Sequence, residues 1–210
     1  MIFRKSFILC LVALALLFPV RSFSQKGDAG TKNQSAKVKK CDTLYYYGVD
    51  LSHVRVTDGS KTDRSLNYST VYPPAWIGYV EKELPPYKYV QPKLKNRVFY
   101  YVAEDVQKNT LKVVPSFIIS EDYSFPADTV NKAVKSYSLS RHTGIGLVII
   151  AENFNKNHES SSSWVTFFDI KTREVLWTVK VSGKCSHMGY TAHWGSGIVS
   201  GFKKFVSSIY

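Results

Sequence analysis

The sequence predicts an α/β (α+β) domain: a mixed sheet with an antiparallel three-strand C-terminal part and helices packed on it, closed by a C-terminal amphipathic helix. Three observations predict it. Gly146 to Phe154 (GLVIIAENF) opens as a continuous apolar run, the pattern of a strand buried on both faces. Trp164 to Ile170 and Val175 to Val181 are β-type segments flanking the tetrapeptide Lys171-Thr172-Arg173-Glu174, so three neighbouring strands are expected to run antiparallel. Trp194, Ile198, Phe202, Phe205 and Ile209 follow one another at helical spacing and line one side of a C-terminal helix, with Lys203 and Lys204 beside that stripe.

Before this region the elements are shorter. Asp42 to Asp50 (DTLYYYGVD) is dense in Tyr and Val and reads as a strand, and Asp58-Gly59-Ser60 as a turn. Pro73 and Pro74 open a helix whose face carries Trp76, Tyr79 and Val80, and Pro85-Pro86 stop it. Arg97 to Val102 is a further strand, Glu104 to Leu111 a short helix or a loop, and Phe117 to Ser120 a short apolar run. Val130, Ala133, Val134 and Tyr137 recur at i, i+3, i+4 and i+7, which predicts a helix from about Pro126 to Leu139. Asn155 to Ser162 is polar and expected to be a loop.

The N-terminus reads as an export signal. Arg4 and Lys5 precede the apolar run Phe7 to Val20, which is of signal-peptide length and falls short of the roughly 20 residues a spanning helix needs. Arg21-Ser22-Phe23-Ser24 then sets small residues for cleavage after Ser24. Cys10 lies in the middle of the apolar run, not just after it, so no lipid anchor is expected. The reading is a signal peptide over 1–24, a flexible basic linker over 25–40 and a single globular domain over 41–210, with a periplasmic or otherwise secreted location and no transmembrane segment after cleavage.

Losing Arg4, Lys5 and Arg21 takes the formal charge from +12 to +9. Part of the remainder lies in the linker, where Lys26, Lys32, Lys37, Lys39 and Lys40 face only Asp28. Such a segment has almost nothing to bury, and its charge suits an anionic envelope polymer or lipid surface. Export demotes nucleic acid as a partner. Cys41 and Cys185 would survive cleavage, and in an oxidising compartment they are either a disulfide or two buried thiols.

Chemistry-bearing patterns are sparse. Gly144-Ile145-Gly146 precedes a strand instead of following one, which excludes a dinucleotide fingerprint. Cys185, His187 and His193 are zinc-ligand types, but their spacing fits no known finger and a fourth ligand is not apparent. Asp50, Ser52 and His53 have the residue types of a hydrolase triad, but neighbours on a strand end point different ways. No catalytic residue, metal or cofactor is therefore expected. The most suggestive surface is Pro85 to Arg97, expected to be held extended by its prolines, where Tyr87 and Tyr89 stand among Lys88, Lys93, Lys95 and Arg97. Cations beside aromatic faces suit phosphate or sugar-acid groups, or a partner protein of the envelope.

The segment Leu147 to Trp177, with LVIIAENF, WVTFFDI and KTREVLWTV, resembles small envelope proteins of Gram-negative bacteria. It is similar to the sheet-and-helix module of the curli-secretion lipoprotein and of the amino-terminal domain of the Tol-system propeller protein. The chain departs from the lipoprotein members in lacking the lipid-acceptor cysteine. The resemblance implies an α/β domain serving as a binding or assembly part of the cell envelope. The resulting expectation is a non-enzymatic binding or assembly module; the alternative is a hydrolase acting on an envelope polymer.

Overall fold

A computed structural model describes residues 32–58, 71–94, 98–110, 118–139, 141–186 and 189–209. The proposed leader, the linker up to residue 31 and the Gly59-Ser60 part of the expected turn lie outside the described residues. In chain order the elements are α1 (Lys32–Lys39), β1 (Thr43–Asp50), β2 (Arg55–Thr57), α2 (Tyr72–Glu83), α3 (Pro86–Tyr89), α4 (Gln91–Leu94) and β3 (Val98–Tyr101). There follow α5 (Glu104–Thr110), β4 (Ile118–Ile119), α6 (Ala127–Ser136), β5 (Ile145–Asn155), β6 (Ser160–Asp169), β7 (Val175–Lys184) and α7 (Tyr190–Ser208).

All of β5 is buried, as its apolar sequence requires, and the sheet is assembled around it. β6 pairs antiparallel along one edge of β5 from Ile145 to Asn155, and β7 pairs antiparallel with β6. That leaves the other edge of β5 for both β1 and β2, which pair with it in parallel at Ile145 to Ile150 and at Asn153 to Asn155 respectively. β1 and β2 are thus two halves of one interrupted strand. Leu51 to Val54 loop out opposite Ala151 and Glu152, and β3 and β4 extend the two halves outward, again in parallel.

The fold expectation is overturned at this point. The hydrogen-bonded path β3-β1-β5-β2-β4 is parallel throughout, so the sheet is not organised by its antiparallel part. Parallel pairing depends on crossover connections, which leave no local signature. β2 and β4 have three and two residues, too few to display a period.

Helices cover both faces. Trp76, Ile77 and Val80 of α2 and Ile198, Phe202 and Phe205 of α7 bury one face with Tyr46, Leu147, Ile149, Val165 and Phe167. Val130, Ala133 and Val134 of α6 and Val106 of α5 bury the other with Tyr47, Val148, Ile150, Trp164 and Phe168. Residues of β5 alternate between the two until Glu152, which has no partner on β6 because Ala151 pairs with Ser163 and Asn153 with Ser162. This bulge changes the parity of the strand, so Phe154 joins Ala151 on the α7 face.

α7 approaches the sheet at backbone distance where β7 carries Gly183. A Cβ there would stand 2.0 Å from the carbonyl oxygen of Gly197, and one on Gly197 would stand 2.3 Å from the Ser161 hydroxyl. At the other end, the expected flexible linker is already structured from Lys32: α1 buries Val38, Lys39 Nζ stands 5.9 Å from the Trp177 ring, and Lys37 pairs with Asp169 at 3.7 Å. One apolar residue in a basic segment gives it a docking point the composition conceals.

Candidate functional site

The aromatic and basic segment after α2 is not extended. It forms the short helices α3 and α4, because Pro86 and Pro92 fall in their first turns, where a missing N–H costs nothing. Lys88 is exposed and Lys93 half-buried, while Lys95, Arg97 and the side chain of Tyr87 lie outside the described residues. The Tyr89 ring has two cations near it, Lys88 Nζ at 5.9 Å and Lys203 Nζ of α7 at 5.2 Å from its centroid.

Lys203 connects this ring to a groove of about 660 Å³ along α7. Tyr79 and Glu83 of α2 line one side, and Ser200, Lys203, Lys204 and Ser207 the other. Lys204 Nζ donates to the Ser182 carbonyl at 3.1 Å, and Ser207 Oγ to the Lys203 carbonyl at 3.0 Å. Two ammonium groups against one carboxylate give the groove a positive balance, with hydroxyls between them. Sequence reasoning placed Lys203 and Lys204 beside the buried stripe of α7 but did not join them to Tyr89. Only the packing of α7 beside the segment after α2 does so.

Triad-type residues near Asp50 are engaged otherwise. Asp50 is buried; its Oδ2 accepts from the Tyr137 hydroxyl at 2.5 Å and its Oδ1 from the backbone N–H of Ser52 at 2.8 Å. His53 presents its ring edgewise to Phe125, with centroids 6.2 Å apart. Burial and then the Asp50 charge push the Tyr137 phenol well above its ordinary range.

Glu152, unassigned by the sequence reading, is the densest polar centre described. Its Oε1 accepts from Trp164 Nε1 at 3.1 Å, the Phe125 N–H at 3.0 Å and Ser124 Oγ at 3.3 Å. Its Oε2 accepts from Ser162 Oγ at 2.8 Å and Lys180 Nζ at 2.6 Å. The signal was present in the sequence: a lone carboxylate inside an apolar strand must find donors or not be buried. Lys180 also reaches Ser124 Oγ at 2.7 Å, a spacing seen in nucleophile–base pairs, but it meets that oxygen as a donor while donating to Glu152. The cluster clamps β5, β6, β7 and the entry to α6 together.

A second polar cluster lies beyond the carboxyl ends of β2 and β5. Lys156 Nζ spans both oxygens of the buried Asp58 at 3.2 and 3.1 Å. Asp122 accepts from Asn155 Nδ2 at 2.5 Å and meets His158 Nε2 at 3.3 Å. The chain leaves β2 through α2 on one face and enters β5 through α6 on the other, so this is the switch point at which α/β sheets bind ligands.

The cysteines are not bridged to one another. Cys185 is buried with its Sγ 3.4 Å from Ser161 Oγ, and burial pushes its thiol up; Cys41 is half-buried. The packing of β7 against α7 accounts for Cys185, a small side chain between Ser161 and Gly197. His187 lies outside the described residues, and His193 sets its ring edgewise to Trp194 at 4.7 Å. Among the described residues no group of three or more His, Cys, Asp or Glu side chains is placed to hold a metal, and no helix is long and apolar enough to cross a membrane.

Compared with known proteins, the chain matches no family model and no curated sequence.

Proposed function

We propose that this is an exported cell-envelope protein acting as a non-enzymatic binding module, with the α2–α7 groove as its surface for an anionic envelope glycan. The observation that carries the reading is Lys203 over Tyr89 at the mouth of a groove lined by lysines and serines. Ammonium groups attract sugar-acid and phosphate groups, serine hydroxyls exchange hydrogen bonds with sugar hydroxyls, and an aromatic rim offers an apolar face. The leader-like N-terminus and the basic balance of the chain point to the same class of partner.

The hydrolase alternative draws less support. Asp50 spends its oxygens on Tyr137 and Ser52, and Lys180 is a donor to both Glu152 and Ser124. Titration with purified lipopolysaccharide, with neutral dextran as control, tests the proposal. Saturable binding that weakens as salt rises supports it; equal binding of dextran, or binding indifferent to salt, contradicts it.

A further inference from the structure

We infer a second, separate site: the pocket between α2 and α5 takes a small organic ammonium with an apolar body, Glu81 meeting its charge and the bare backbone at Gly78 seating its carbon chain. On α2, Tyr79 and Glu83 line the groove against α7, while Pro74, Ile77, Gly78 and Glu81 recur at helical spacing on the opposite side and line this pocket with α5. It holds about 560 Å³, within the roughly 300–1,000 Å³ of small-molecule sites. The groove and the pocket share no lining residue.

Gly78 is the first feature that calls for an occupant. A glycine inside a helix weakens it relative to alanine, and a packed fold retains one where a side chain has no room. α7 shows that case: a Cβ on Gly195 would stand 2.5 Å from the Tyr79 ring. Gly78 lies in the interior of α2, yet a Cβ there would meet nothing within 4 Å, so packing among the described residues does not ask for glycine. The missing side chain instead leaves the apolar wall of Pro74 and Ile77 open to a ligand.

Charge decides the class of ligand. Glu81 Oε1 accepts from the Tyr101 hydroxyl and from Gln107 Nε2, the latter at 2.7 Å, so donors on β3 and α5 fix the carboxylate in place. Its Oε2 accepts no hydrogen bond among the described residues. The exposed Glu104 adds a second carboxylate and the exposed Lys108 one ammonium, which leaves the lining net negative in a chain of formal charge +12. An anion would be repelled, and a neutral apolar molecule would shut the half-buried Glu81 away from water without a cation. A protonated amine on a short alkyl chain satisfies both the carboxylate and the apolar wall.

The test is a calorimetric titration of the purified protein with hexylamine, hexanol and hexanoate at neutral pH, three probes that share a chain and differ in charge. Hexylamine is expected to bind saturably, hexanol about tenfold more weakly, and hexanoate not at all. Glu81→Gln keeps an acceptor for Tyr101 and Gln107 and should weaken hexylamine about tenfold while leaving hexanol within about twofold. Gly78→Leu fills the pocket with a good helix former: it should abolish binding of hexylamine and hexanol and hold the urea midpoint at or above that of the parent. Should Glu81→Gln not fold, the three probes on the parent and Gly78→Leu decide. No saturable binding of hexylamine, hexanol or hexanoate binding as tightly as hexylamine, equal weakening of amine and alcohol in Glu81→Gln, or a Gly78→Leu variant that still binds or is destabilised would each overturn the assignment.

Discussion

Lys203 of α7 holds its ammonium 5.2 Å from the ring centroid of Tyr89 in α3. The contact joins the C-terminal helix to the segment after α2 and sets an aromatic ring beside a lysine that lines the groove. Cation–π contacts at exposed sites contribute about 0.5–1 kcal/mol, and Tyr89 also packs against the core, so Tyr89→Ala should lower stability by more than that amount. It should weaken glycan binding about threefold, as read by calorimetry beside a denaturant melt.

The Glu152 clamp predicts a loss of stability too. Glu152 is fully buried and the Lys180 side chain is one-third exposed. Lys180→Met leaves the buried Glu152 carboxylate to its neutral donors alone, without its cation, and should cost about 1–3 kcal/mol in urea denaturation. Adding Glu152→Gln to it should recover part of the loss, because the amide keeps acceptor capacity without charge. A single variant within about 0.5 kcal/mol of the parent would contradict the clamp.

Alkaline pH should unfold the protein cooperatively. Burial raises the phenols of Tyr46, Tyr47, Tyr101 and Tyr137 above the ordinary value of 10.0, with Glu81 adding to Tyr101 and Asp50 to Tyr137. Below pH 10 these phenols are neutral in both states and cost nothing. As pH rises past 10 the unfolded chain ionises first, and stability falls until the folded groups ionise too. Part of the phenolate absorbance should therefore appear only in a step that coincides with loss of circular dichroism. Full phenolate absorbance reached while the circular dichroism is unchanged would contradict this.

The thiols give a chemical check. Without reductant, both Cys41 and Cys185 should alkylate after denaturation. In the native protein half-buried Cys41 should react and Cys185 should not, since burial raises its thiol and encloses it. Failure of both to alkylate in denaturant would reveal a bridge.

Close approach at β7 and α7 predicts that Gly183→Ala is poorly tolerated. The added methyl meets the backbone of Gly197 and Gly201, which cannot rotate aside. A loss of at least about 1–3 kcal/mol is expected in denaturant melts.

How much of this was legible depends on the element. β5, β7 and α7 were, because each has a long run at one period, and the turn before β7 was announced by Lys171 to Glu174. The start of β6 was not: Ser160 to Ser162 read as loop, since serine has no liking for strands. Pairing with Val181 to Lys184 and the burial of Ser161 against α7 decide it, with Ser161 Oγ donating to the Trp194 carbonyl at 3.0 Å. The interrupted strand β1–β2, the bulge at Glu152 and the meeting of Lys203 with Tyr89 are relations between distant segments. The local period contains none of them.

The central claim rests on the lysines of the α2–α7 groove. Its most direct test is the dissociation constant for lipopolysaccharide of the parent against the double variant Lys203→Gln, Lys204→Gln, with circular dichroism confirming the fold of both. Each lysine is worth about 1 kcal/mol near an anionic surface, so the variant should bind roughly 30-fold more weakly. Unchanged affinity in a folded variant would contradict the account.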